Sequence, residues 1–372
     1  MAAGHTHFYG PGYVSLQCLN GGIVKYAEEF GPFDFVIVTS TSLRLKQTPN
    51  KLLDVSFKFF TKCFSFDFTK KEFVTFFNEK NDITNIPKVK RIAFLSTFDF
   101  HVLEENDCST LISDFDLVVG YNKQHSQFTS DLDQASLAKE GRHDSNGLNN
   151  WAKMVRQYPE KIFPYLNYSL PTEFHYSTHN SRSNDWIVPG TRYSARKEAL
   201  SNLKKLGVKV HRGTKKNLLI KALKYFLNFL NTSNLLMIAN NEDFISAIRK
   251  SKFGYTCGSA FDMPIRKIFE IPAAGALLII KPFSSVESLE CIGWKHLKNC
   301  LMSDPDDLAH WVNWIIDNPV DAQKIAYQGQ RLVLEKHTFE CRISSFRKAL
   351  ELLFNDDYLG AEWHDGKIVY IN

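Results

Sequence analysis

The chain has 372 residues, 44% of them hydrophobic and 23% charged, with a formal net charge of +5, which excludes wholesale disorder and suffices for two domains of ordinary size. No apolar run reaches the ~18 residues of a membrane span, and the opening MAAGHTHFYGPGY lacks the apolar stretch of a secretory signal. Seven scattered cysteines show neither metal spacing nor a disulfide framework, so a reducing, cytoplasmic setting is expected.

Residues 1–183 carry 19 basic and 20 acidic groups, a net of −1, and residues 184–372 carry 26 and 20, a net of +6. A surplus confined to one half suits a domain that binds an anionic small molecule. It falls short of the basic stripe that nucleic acid requires, so no nucleic-acid partner is expected. Phe is abundant, with 30 copies, and predicts aromatic cores.

From the start, His5-Thr6-His7 resembles the His-x-His of metal-dependent hydrolases, but no strand precedes it and no carboxylate-rich second cluster follows. No metal site is expected. His7 and the GPG turn with Gly10 and Gly12 are candidates for the acceptor side of a cleft. Leu16–Phe30 and Lys70–Lys80 read as helices. The near-continuous apolar runs Phe33–Ser40, Arg91–Phe98 and Phe115–Tyr121 read as strands buried on both faces of a parallel sheet. Directly after the second run come Asp99 and His101. A histidine near its neutral pKa, oriented by a carboxylate, can take a proton from a hydroxyl. Alternatively, Asp99 caps a helix from His101 to Asp107. Leu132–Lys153, rich in Asp, Asn and Ser, reads as a long surface excursion, and the polar Tyr176–Asp185 as a linker.

The pattern then restarts. Trp186–Gly190 is a predicted strand ending in glycine, followed by a helix at Ser194–Leu206 and a strand at Val208–Arg212. Lys215–Leu230 is apolar apart from the stripe Asn217, Lys221, Lys224 and Asn228. That pattern fits a buried helix with one wet edge, or an interfacial helix on a membrane carrying a lipid-linked acceptor. Leu235–Asn240 and Ala276–Ile280 read as strands, and Asp304–Phe354 as mostly amphipathic helix. The expected organisation is two Rossmann-like α/β domains in tandem, over 1–183 and 184–354, with a tail over 355–372. Ligands should lie at the carboxyl ends of the strands, in the cleft between the domains.

The segment DMPIRKIFEIPAAG, Asp262–Gly275, carries the most chemistry. Asp262 and Glu270 are eight positions apart, a little over two turns at ~3.6 residues per turn, so both can face one side with Arg266 midway. A carboxylate beside the Ala-Ala-Gly turn ending at Gly275 can accept two ribose hydroxyls, while basic groups and free N–H donors at a helix start hold phosphate. The structural alternative makes Asp262 a helix N-cap with Pro264 in the first turn, and the pairs with Arg266 ordinary i,i+4 contacts. Pro272 and Gly275 should end the helix sharply. Arg192 and Arg196, just past Gly190, are placed to meet a departing diphosphate, and Lys252 and Arg266 are further candidates. Each taken alone reads first as a solvated surface cation, and their common position at strand ends is what raises them as candidates.

KIFEIPAAGALLI, followed some sixty residues later by IAYQGQRLVLEKHTFECR (Ile325–Arg342), resembles the C-terminal half of group 1 glycosyltransferases of the spore-maturation type. WIVPGTRYSARKEAL (Trp186–Leu200) is similar to the glycine loop and helix that open their nucleotide-binding domain. The resemblance covers Trp186–Phe354. It implies the GT-B architecture: two Rossmann-like domains facing a cleft, the donor on the C-terminal one, the acceptor on the N-terminal one, and a C-terminal helix crossing back. By similarity Glu270 takes the ribose hydroxyls. Asp262 falls where the family sets a carboxylate against the sugar, one methylene shorter than the family's glutamate. The family's first strand has no counterpart ahead of His5, so the chain lacks it or is a fragment.

The expected function is transfer of a sugar from a nucleotide-diphosphate donor to a glycan, lipid-linked or protein acceptor, with peripheral membrane contact and no cofactor beyond the nucleotide-sugar substrate. A nucleotide-sugar epimerase of the same architecture and a non-catalytic nucleotide-sugar-binding protein are the alternatives.

Overall fold

The computed structural model describes residues 34–39, 88–95, 103, 105–122, 124, 146–164, 182–190, 193–211, 244–259, 263–283 and 287–371. In the first half, β1 (Phe35–Thr39), β2 (Lys90–Phe94), β3 (Leu117–Gly120) and β4 (Ile162–Pro164) form one sheet in that order, every pairing parallel. Side chains alternate across it, as the period of two requires. Ala93, Val118 and Ile162 enter one apolar cluster, and Ile92, Phe94, Leu117, Val119 and Phe163 enter another on the opposite face.

Two helices, α1 (Glu105–Asp114) and α2 (Asn146–Gln157), cover the first face. This corrects two expectations. The helix expected from His101 begins at Glu105. The end of the supposed surface excursion Leu132–Lys153 is α2, with Trp151, Ala152, Met154 and Val155 buried. Trp151, Met154 and Val155 hold the i, i+3, i+4 spacing of one helical face, which the polar run before them concealed.

The second half is a five-stranded, wholly parallel sheet: β5 (Asn184–Ile187), β6 (Val210–His211), β7 (Ser251–Thr256), β8 (Leu277–Ile280) and β9 (Leu301–Met302), ordered β6-β5-β7-β8-β9. Leu277, Ile279 and Tyr255 meet Ala199 and Leu203 of α3 (Ser194–Lys205) on one face. Leu278 and Ile280 meet Ile268, Phe269 and Ile271 of α4 (Lys267–Ala273) on the other. Helices α5 (Leu308–Asp317) and α6 (Pro319–Lys336) complete the covering. The chain then crosses back. Helix α7 (Phe339–Phe354) lays Phe346, Ala349 and Leu353 on the far face of the first sheet, with the Phe346 ring 5.4 Å from Phe163 and 6.4 Å from Phe94.

Residues 355–372, expected as a tail, instead carry the antiparallel hairpin β10 (Ala361–His364) and β11 (Lys367–Tyr370). Asp365 and Gly366 between them both have positive φ, 45° and 81°, the conformation an Asp-Gly turn favours. The segment touches both halves: Tyr358 Oη donates to Ile162 O at 2.7 Å, and Gly366 N to Cys291 O at 2.9 Å. The expected helices Leu16–Phe30, Lys70–Lys80 and Lys215–Leu230 and the strand Leu235–Asn240 lie outside the described residues. Among the described residues, no helix is long and apolar enough to cross a membrane.

Candidate functional site

In the order β6-β5-β7-β8-β9, chain direction across the sheet reverses between β5 and β7. Loops leave neighbouring strands to opposite sides at such a point and open a crevice at the carboxyl ends. The chain leaves β5 through Val188-Pro189-Gly190, with Gly190 at φ +94°, and α3 begins at Ser194, setting the positive end of its dipole there. Arg196, in the first turn of α3, is 3% exposed. Its Nη2 donates to Thr256 Oγ1 at 2.8 Å and to Cys257 O at 3.4 Å, at the carboxyl end of β7. A Cβ on residue 190 would lie 2.9 Å from Arg196 Nη1 and 3.5 Å from Lys267 Cε. Glycine is therefore favoured by the backbone conformation and by the Arg196 guanidinium, which a Cβ would displace, while Lys267 stays at ordinary contact distance.

The lead into α4 differs from the structural alternative for Asp262. Residues 263–265 are not helical and the helix begins at Lys267, so Pro264 is not in its first turn. Pro272 lies inside the helix, which ends at Ala273. Gly275, at φ +74°, donates to Pro272 O at 2.7 Å, and Ala276 N to Ile271 O at 3.3 Å, a left-handed glycine cap that turns the chain into β8. Two side chains close the same end: Arg182 Nη2 donates to Ala274 O at 2.6 Å and Gln330 Nε2 to Ala273 O at 3.0 Å.

Glu270 is 3% exposed and lies between two cations. Arg266 Nε is 3.1 Å from Oε1, and Lys267 Nζ is 2.8 Å from Oε2. Burial alone would push the carboxyl upward, but Lys267 first and Arg266 second outweigh it and hold Glu270 below its ordinary pKa. An ionised carboxylate has about four acceptor positions, of which Arg266 and Lys267 take two in this buried side chain. Arg266 and Lys267 on Glu270, with Arg196 across Gly190 from Lys267, gather basic groups and one acceptor at this corner.

Of the residues singled out from sequence, the structure brings together Gly190, Arg196, Arg266 and Glu270, and it leaves Gly275 at the far end of α4 beside Arg182, level with Ser251 at the amino ends of β7 and β8. It separates Lys252, which lies at the start of β7, the opposite end of the sheet, and pairs with Asp185 at 3.0 Å. Both are second residues of parallel strands, so this is a pair across the sheet rather than a group for a leaving phosphate. Asp262, Arg192, Asp99, His101, His7, Gly10 and Gly12 lie outside the described residues.

Sequence reading passed over Lys267, Arg182 and Gln330. Lys267 was legible in principle, three positions before Glu270. Arg182 and Gln330 act through contacts that no spacing encodes. In the block His337–Arg342, His337, Thr338 and Arg342 are buried. His337 is 0% exposed and sits between the rings of Phe269 at 4.8 Å and Trp363 at 5.9 Å. Arg342 Nη2 lies 2.7 Å from its Nδ1, and Ile292 O lies 2.8 Å from its Nε2. That arrangement fits the neutral ring with its proton on Nε2. Burial, then the Arg342 charge, hold its pKa well below the ordinary value. Thr338 caps α7, its Oγ1 accepting from Cys341 N at 3.3 Å.

The model of the glycosyl transferase-like family matches residues 198–348, a stretch containing Arg266, Lys267, Glu270 and Gly275. No curated protein matches the chain. Among solved structures the chain is similar to Anabaena HepE in complex with UDP and glucose, at 10% identity over 82% of this chain and 84% of that one, with a TM-score of 0.48. It is similar to sucrose-phosphate synthase from Thermosynechococcus elongatus at 11% identity, over 84% and 79%, with a TM-score of 0.47. A glycosyltransferase from Rickettsia africae ESF-5 aligns at 12% identity, over 90% and 93%, with a TM-score of 0.45.

Proposed function

We propose that this protein is a glycosyltransferase that binds a nucleotide-diphosphate sugar at the β5–β7 switch point and passes the sugar to a glycan, lipid-linked or protein acceptor. The observation that carries the reading is the cluster of Arg196, Arg266 and Lys267 around the ionised Glu270 at the carboxyl ends of a doubly wound sheet. The glycosyl transferase-like match over residues 198–348 supports it. The resemblance of the FEIPAAG block at Phe269–Gly275 and the HT…R block at His337–Arg342 to the spore-maturation type supports a reading within that type.

In that reaction the bond from the anomeric carbon to the diphosphate breaks, and a bond to the acceptor oxygen forms. Negative charge builds on the departing diphosphate. Arg196 and the amino end of α3 would meet it with groups already oriented, which lowers the barrier because little reorganises during transfer. Glu270 would accept the ribose hydroxyls, and Lys267 and Arg266 keep it ionised for that task. The acceptor proton would pass to His101, oriented by Asp99.

Thermal-shift measurements across nucleoside diphosphates and nucleotide sugars test the reading. A true donor at a hundredfold excess over its Kd adds about 2.7 kcal/mol of stability. Glu270→Ala should abolish that shift. No shift with any nucleotide overturns the assignment. Radiolabelled transfer to an acceptor then separates this enzyme from an epimerase, which converts the sugar without one.

A further inference from the structure

The segment that leaves the carboxyl end of β3 reaches into the second half of the molecule. Tyr121, 4% exposed, donates from its Oη to Pro264 O at 3.0 Å. Its own carbonyl accepts from Trp151 Nε1 at 2.8 Å, which anchors it on α2. Nearby, Ser288 Oγ donates to Gln124 O at 2.8 Å, and the Gln124 side chain bonds the backbone of Trp363 at both its N and its O. Pro264 occupies the non-helical lead into α4, ahead of Arg266 and Lys267. Met263 N donates to Gly258 O at 2.6 Å, tying the lead at its other side.

We infer that Tyr121 is a positioning residue for the nucleotide site: its hydroxyl, just past β3, holds the lead that sets where the amino end of α4, with Arg266 and Lys267, stands. The inference rests on the donor-site reading above. Proline has no N–H, so residue 264 is tied through its carbonyl, and a buried carbonyl that loses its donor shifts to find another. Arg266 and Lys267 are held on Glu270 by the helix's own i,i+4 and i,i+3 spacing, so a shift of the lead moves the amino end of α4 as a unit and displaces the charge the site presents. Removing one hydroxyl from the first half should therefore weaken binding to a site built in the second.

Tyr121→Phe keeps the ring in its core position and deletes only the donor. Nucleoside diphosphate binding (ADP, CDP, GDP, UDP and dTDP) is measured by titration calorimetry well below the melting temperature. For the nucleotide that wild type binds, Tyr121→Phe should weaken binding by about fivefold. Ser288→Ala, which removes the neighbouring bond to Gln124 O but leaves Pro264 tied, should bind as wild type. The effect of Tyr121→Phe should also shrink in a Lys267→Ala background, where one of the two cations it positions is gone. Wild-type affinity in Tyr121→Phe, or full additivity with Lys267→Ala, overturns the inference while Glu270→Ala still tests the site. An equal loss in Ser288→Ala overturns it in favour of general loosening between the halves. Wild type binding none of the nucleotides overturns both readings.

Discussion

Arg196 and His337 are both buried side chains with fixed partners, and the surroundings assign them different work. Arg196 crosses from α3 to the carboxyl end of β7 beside a glycine that yields it space. Its removal forfeits charge at the proposed diphosphate position more than packing. Arg196→Ala should lower turnover by about 100-fold, the order seen when a preorganised charge-stabilising donor is deleted, with a smaller loss in melting temperature. Comparable turnover would remove it from the site. His337 is neutral in the fold because burial and Arg342 depress its pKa. The unfolded chain takes up that proton near pH ~6.5. The unfolded state then binds more protons, so the stability His337 contributes is present above ~6.5 and is lost as pH falls towards the depressed folded value, at up to ~1.4 kcal/mol per pH unit. The melting temperature should fall between pH 7.5 and 5.5, and His337→Gln should flatten that slope. Glu270, also depressed, begins to lose its contribution only as pH falls through the ordinary carboxylate range, below the pH 7.5–5.5 interval of this test.

At the scale of elements, α4 carries the site and is one of the shortest helices in the molecule. Seven residues cannot hold a helix by propensity alone, and Pro272 removes one of its internal hydrogen bonds. What fixes it is burial of Ile268, Phe269 and Ile271, together with closure of its carboxyl end by Gly275, Arg182 and Gln330. Gly275→Ala should therefore destabilise by about 1–2 kcal/mol through the left-handed backbone alone. The loss should exceed that because a Cβ there would meet Arg182 Nη2 at 2.7 Å. Denaturant titration measures it, and a neutral outcome would show that the cap does not hold the helix. The sharp stop after Pro272 was legible from Pro and Gly alone. The arginine that seals it was not, because Arg182 is 92 residues from Ala274 in sequence.

At the scale of the whole molecule, the two sheets are joined by elements distant in sequence from either. Helix α7 packs on the first sheet, and the final hairpin bonds to both halves. Trp363, 2% exposed, is the inward anchor of that hairpin, lying over Arg342 at 4.6 Å and beside His337. Trp363→Ala should cost about 3–5 kcal/mol, seen as a lower midpoint in a urea titration that monitors both halves. Unchanged stability would mean the hairpin is an ornament on the fold. The Asp-Gly turn between β10 and β11 could have disclosed the hairpin. Reading 355–372 as a tail missed it because each strand is only four residues long.

The amino-acid sequence by itself determined what is local. The apolar runs became β1, β2, β3, β5 and β8 because their hydrophobicity leaves them no stable place but the interior of a sheet covered on both sides. The glycines at 190 and 275 marked turns because other residues resist those backbone angles. The FEIPAAG segment announced a carboxylate beside a sharp helix end. Only the tertiary structure decided which strand lies beside which, and hence where the switch point falls. Strand order set Arg196 against Thr256 and left Lys252 at the opposite end with Asp185. Parallel pairing joins strands separated by long crossovers, so side chains from remote segments meet through topology, and nothing in their spacing records the meeting.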